Sequence, residues 1–152
     1  MNIMTGTSIE TLSDEAKTWT AKAIAGVIVA DDVLKKEELK ILREAIGFLD
    51  DAKLVNQIIN QIKKRSLPEL EQFKTDRQTA VKIIMILAHT AFVDTELTHH
   101  EIDYVVAAGK KIGLAKKYIL RVIDWSQECV RVEIEQEKLM ADGHKSKAKY
   151  TN

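Results

Sequence analysis

Apolar residues return every three or four positions along nearly the whole chain, which is the spacing of one face of an α-helix. Leu12, Ala16, Trp19, Ala23, Val27 and Ala30 form one such stripe and predict a first helix, with Ser13 or Ser8 as its cap. Leu39, Leu42, Ala45, Ile46 and Leu49 predict a second helix, and Leu54, Val55, Ile58, Ile59 and Ile62 a third from about Lys53 to Arg65. "RSLPELEQFK" then reads as a connector, because Pro68 is tolerated only near a helix start. Thr75 and Gln78 have capping-box spacing and open a helix built on Val81, Ile84, Met85, Ala88 and Phe92. Thr98 and Glu101 repeat that device ahead of Ile102, Val105, Val106, Gly109 and Ile112, and Gly113 supplies a stop. A last helix from near Ala115 carries Ile119, Val122, Ile123 and Val130 and continues to about Met140. No convincing strand appears, so the expected fold is all-α, with about seven helices.

A second periodicity lies over the first. Asp31 and Asp94, Leu34 and Leu97, and Glu38 and Glu101 are each separated by 63 residues. Ile24 with Leu87, Ala25 with Ala88, Leu39 with Ile102, Leu42 with Val105, Ala45 with Ala108 and Leu49 with Ile112 keep the same interval. Such a series predicts two copies of helix, acidic loop, helix and helix, packed with approximate two-fold symmetry around one core. The expected organisation is an N-terminal segment at 1–12, a single helical domain at 13–140 with repeats near 15–65 and 76–130, and a disordered tail at 141–152.

Each copy centres on Asp-x-x-Leu-x-x-x-Glu, "DDVLKKEE" at 31–38 and "DTELTHHE" at 94–101. Acids are out of place at the end of a helix, where the peptide dipole is already negative. Two readings follow. A tight reversal brings Asp31 and Glu38, and likewise Asp94 and Glu101, beside the carbonyls left unpaired at the preceding helix end. A hard divalent cation such as calcium takes that set of oxygens. Alternatively the glutamates cap the following helix and the aspartates hydrogen-bond their own turn. Asp32, Glu37 and Glu96 are further acids beside these motifs, read as solvated loop charge. The pattern is not an EF-hand, which requires Asp-x-Asp-x-Asp-Gly and a distant Glu.

"AGVIVADDVLKKEEL" and "HTAFVDTELTHHEI", set in a duplicated helical domain, resemble the TerB family of tellurite-resistance proteins and the wider TerB-like domains over residues 15–130. The resemblance implies a compact helical fold whose acidic loops bind divalent cations through Asp31, Glu38, Asp94 and Glu101. It also implies a non-enzymatic role in bacterial tellurite and stress responses, exerted through protein partners near the membrane. TerB-like domains also occur as appendages, so a metal-independent adaptor is the alternative. The family commonly places Gly after each Asp, whereas this chain has Asp32 and Thr95. Because β-branched Thr resists positive φ and Asp tolerates it, the first loop fits the family pattern better.

Composition narrows the rest. Lys and Arg number 23 against 23 Asp and Glu, so no global basic field exists to hold nucleic acid. The lone Cys129 forms no internal disulfide and suits a reducing cytosol; with no basic neighbours in sequence it reads as a buried, inert thiol. No apolar run is long enough for a membrane span, and residues 1–20 lack the basic-then-apolar pattern of a signal peptide, so a cytoplasmic location is expected. "HEIDY" at 100–104 begins like a zinc-protease helix, but Tyr104 stands where the second His must be. Glu96-x-x-His99 has di-iron spacing without a counterpart in the first half, and His99 and His100 read as exposed first-turn residues. No set of catalytic parts assembles, and no enzyme is expected.

Overall fold

A computed structural model describes residues 9–30, 36–66, 69–91 and 98–150, without the side chains of residues 37–39 and 41. A 3₁₀ turn at Ile9–Thr11 leads into six helices: α1 (Asp14–Ala30), α2 (Lys36–Gly47), α3 (Ala52–Lys63), α4 (Arg77–Ala91), α5 (His99–Lys111) and α6 (Lys116–Lys145). No strand occurs among the described residues, and the all-α expectation holds.

Helices α1 and α4 form the centre. They pack on each other; α1 also meets α2, α3 and α5, while α4 meets α2, α5 and α6. Their compositions explain this placement. From Ala23 to Val29 every residue of α1 is buried, and α4 buries Ala80, Ile83, Ile84, Ile86, Leu87, Ala88, Thr90 and Ala91. A helix apolar on all sides has no solvent face to offer and belongs inside. Fully buried alanines at 21, 23, 25, 88 and 91 let the surrounding helices come close. The outer helices bury one face only, such as Leu42 and Ala45 on α2, Ile58 on α3, and Val105, Val106 and Ala108 on α5.

Local chemistry sets the helix ends. Ser13 Oγ accepts from the Ala16 N–H and caps α1, as its position predicts. Asp51 caps α3 by accepting from the N–H groups of Lys53 and Leu54. At α4 the expected capping box of Thr75 and Gln78 is corrected by one residue. Asp76 is the cap, accepting from the Thr79 N–H at 3.0 Å and the Thr79 hydroxyl at 2.6 Å. These bonds favour the ionised carboxylate and hold its pKa below the ordinary value. Gly113, at φ +86°, ends α5 in the left-handed conformation that its sequence position predicts. α6 runs past the expected end near Met140 to Lys145.

Between α3 and α4, residues 69–76 carry no helix and lie as a strap over the core. Trp19 Nε1 donates to the Glu71 carbonyl at 2.7 Å, and the Trp19 and Phe73 rings stack with centroids 6.1 Å apart. The Phe73 N–H donates to the Lys111 carbonyl at 2.9 Å, and Lys111 Nζ donates to the Leu70 carbonyl at 2.5 Å. Trp19 is therefore core, as its stripe predicts, and Trp125 packs partly buried against the same cluster.

Gly26 records the closest approach in this packing. A Cβ there would lie 1.8 Å from Tyr104 Oη and 2.0 Å from Tyr104 Cζ, so the α5 ring rests on the α1 backbone. Replacing Gly26 by Ala should destabilise the fold by about 1–3 kcal/mol through overpacking, measured by urea denaturation. The Tyr104 hydroxyl is buried with no hydrogen-bond partner among the described residues, and burial pushes its pKa from the ordinary 10 up to about 12. The folded state keeps this proton after the unfolded chain has lost its own, so stability should fall between pH 10 and pH 12. Tyr104→Phe should remove that part of the slope, with little change at neutral pH, in paired denaturation curves.

Candidate functional site: two acidic bends

The two bends join α1 to α2 and α4 to α5, at matching places in the fold. Asp31 and Asp94 lie outside the described residues, as do Asp32 and Glu96. Glu38 is the third residue of α2, with its side chain outside the described set, as is that of Glu37. Glu101 is the third residue of α5. Both glutamates thus occupy first turns, where they were expected.

Glu101 is the site residue whose surroundings are visible. Thr98 is the N-cap of α5: its Oγ1 accepts from the Glu101 N–H at 3.2 Å and donates to Glu101 Oε1 at 3.1 Å. The expected Thr98–Glu101 capping pair is present. Its burial was not foreseen. Glu101 is 0 % exposed and ranks among the largest fully buried side chains, in the company of Ile24, Ile84 and Leu87. Carboxylates are rarely this deep unless a counter-charge or strong hydrogen bonds offset the loss of water. His99 and His100, two and one residues earlier, are exposed.

The end of α1 has a different neighbour. Arg65 Nη2 donates to the Val29 carbonyl at 3.4 Å, which sets a guanidinium at the negative end of the helix dipole, two residues before Asp31. Arg65 takes φ +50° just after α3, where Arg65 N–H bonds the Ile62 carbonyl and Ser66 N–H bonds the Gln61 carbonyl. That is the Schellman pattern with Arg in the place Gly usually fills. A basic residue past a helix end is a readable signal; its reach to α1, 36 residues back, is not.

No group of three or more His, Cys, Asp and Glu able to hold a metal lies among the described residues, and the side chains of three of the four expected ligands fall outside them. Other reactive candidates are accounted for by packing. Cys129 is buried, and burial, followed by the charge of Glu133, pushes its thiol pKa up, away from nucleophilic use. His89 is half-buried, and burial lowers its pKa against the opposing pull of Glu133. A groove of about 380 Å³ between the start of α1 and the strap, lined by Trp19, Phe73, Glu15 and Glu71, contains none of the four acids.

Thr98→Ala removes the cap beneath Glu101 and should cost about 1 kcal/mol in urea unfolding, with Thr98→Ser retaining most of the stability. No family model, no curated protein and no solved structure matches the chain.

Proposed function

We propose that the chain is a non-enzymatic, divalent-cation-binding protein of the TerB-like kind, acting in a stress response through protein partners. The observation that carries this reading is the complete burial of Glu101 beside the second acidic bend. A carboxylate withdrawn from water needs positive charge nearby, strong hydrogen bonds or a proton. A cation held by Glu101, Asp94 and the carbonyls at the end of α4 meets that need with hard oxygen ligands. At the first bend Arg65 already brings positive charge to the end of α1. That charge competes with a cation at Asp31 and Glu38, and the first bend is the weaker site in this reading. The Thr98 hydroxyl bond to Glu101 favours a second reading, in which the acids only cap helices and the domain is a metal-independent adaptor.

The duplicated architecture is part of the proposal. Helices α4 and α5 begin 63 residues after α1 and α2, the interval of the sequence repeat, and α6 begins 64 after α3. The packing supports the exchange in part: α1 with α2 corresponds to α4 with α5, α1 with α3 to α4 with α6, and α1 with α5 to α4 with α2, while the packing of α5 on α6 has no equal between α2 and α3. Among the described residues no helix is long and apolar enough to cross a membrane. We place the protein in the cytoplasm, with partners that bring it to the membrane surface.

Thermal unfolding in chelator, then with calcium, magnesium, manganese or zinc, tests the reading. A cation that binds only the folded chain raises stability by about 2.7 kcal/mol at a hundredfold excess over Kd. Asp94→Asn with Glu101→Gln should abolish most of the response, and Asp31→Ala with Glu38→Ala a smaller part. A wild-type protein indifferent to all four ions would leave the adaptor.

A further inference from the structure

The buried positions of α6 end at Val130, yet the helix continues through fifteen more residues to Lys145, a length of about 22 Å at 1.5 Å per residue. This extension is not polar all round. Val132, Leu139 and Met140 are 46 %, 64 % and 58 % exposed. Trp125, Val132 and Leu139 follow one another at intervals of seven, so the exposed stripe continues the half-buried Trp125 on one line of the helix. Gln136 and Met140 lie beside that line.

One edge of the stripe carries Glu128, Arg131, Glu135, Lys138, Asp142 and Lys145, alternating in sign throughout. We propose that this face is the seam of a homodimer, in which the α6 extension of a second copy packs antiparallel across a two-fold axis between positions 136 and 137. In that register Glu128 faces Lys145 of the second copy, Arg131 faces Asp142, and Glu135 faces Lys138, each pair occurring twice. Val132 of one copy lies at the level of position 141 of the other, between its Leu139 and Gly143. In a parallel pair the two copies of this edge would lie on opposite sides of the seam, and its alternating charges would not meet one another. The interface is isologous, so it closes at two chains.

Pairing within one helix is the competing use of these charges, and Glu128 does pair with Arg131. Both side chains of that pair are about 60 % exposed, where such pairs contribute little. Intrahelical pairing also gives no reason for three large apolar side chains on the adjoining stripe. The opposite edge is turned toward the chain's own core, where Glu133 acts on His89 of α4.

Light scattering and sedimentation equilibrium of the full chain, through the micromolar range, test the proposal. The wild type should reach a dimer mass that dissociates on dilution. Val132→Glu with Leu139→Glu should give a monomer with unchanged helicity, because both positions are exposed in the single chain. Lys138→Glu should weaken the dimer severalfold, and adding Glu135→Lys should restore it by exchanging the two charges across the axis. A wild type that stays monomeric overturns the proposal, as does a dimer unaffected by the double glutamate change. Failure of the charge exchange to restore association overturns the antiparallel register.

Discussion

Two helices whose C-terminal halves are almost wholly buried dictate the rest of this molecule. α1 and α4 are buried over most of their circumference, and a pair of such helices must be wrapped by others before water is excluded. The amphipathic α2, α3, α5 and α6 do that wrapping, each giving one apolar face to the pair. The close approach at Gly26 follows from the same demand, since a side chain there would push Tyr104 off the α1 backbone. So does the position of the acidic bends. They follow the ends of the two innermost helices, at Ala30 and Ala91. Beside the second bend, Glu101 is fully buried.

Polar groups inside the core obey the same arrangement. Thr90 Oγ1 donates to the Ile86 carbonyl at 2.9 Å, and Ser126 Oγ donates from α6 to the Ala88 carbonyl at 3.1 Å. The Thr90 bond uses spare acceptor capacity on the backbone of α4, and the Ser126 bond supplies a donor to a carbonyl in its last turn. The Ser126 bond fixes α6 against α4 where buried positions alternate with polar ones. Thr20 Oγ1 and Tyr104 Oη, by contrast, are buried without a hydrogen-bond partner among the described residues. Each such group costs stability.

Much of the fold was legible because it depends on neighbours in sequence. Ser13, Thr98 and Gly113 act within one turn of themselves, so spacing alone located the helix ends that they make. Thr75 misled for the same reason. Both Thr75 and Asp76 stand before a helical run, and the choice falls to Asp76 because Thr79 offers it a hydroxyl as well as an N–H. Asp51 capped α3 in the same local manner and was readable, though the apolar stripe drew the eye past it. The length of α6 was harder, since its core-facing stripe ends at Val130 and a different stripe takes over. Site residues divide similarly. Their sequence interval and first-turn placement were visible, but the depth of Glu101 follows from the packing of α5 on α1 and α4, which no local window contains. Arg65 at the end of α1 is non-local in the same way.

The strap at 69–76 has a consequence for how two molecules behave together. It leads from the α1–α3 half of the sequence to the α4–α6 half, and it is fastened on both sides, to Trp19 of α1 and to Lys111 of α5. If it straightened to let one half cross into a neighbouring molecule, it would have to release one of those anchors. Domain exchange is therefore opposed by the hinge itself, and the halves of each chain stay with each other.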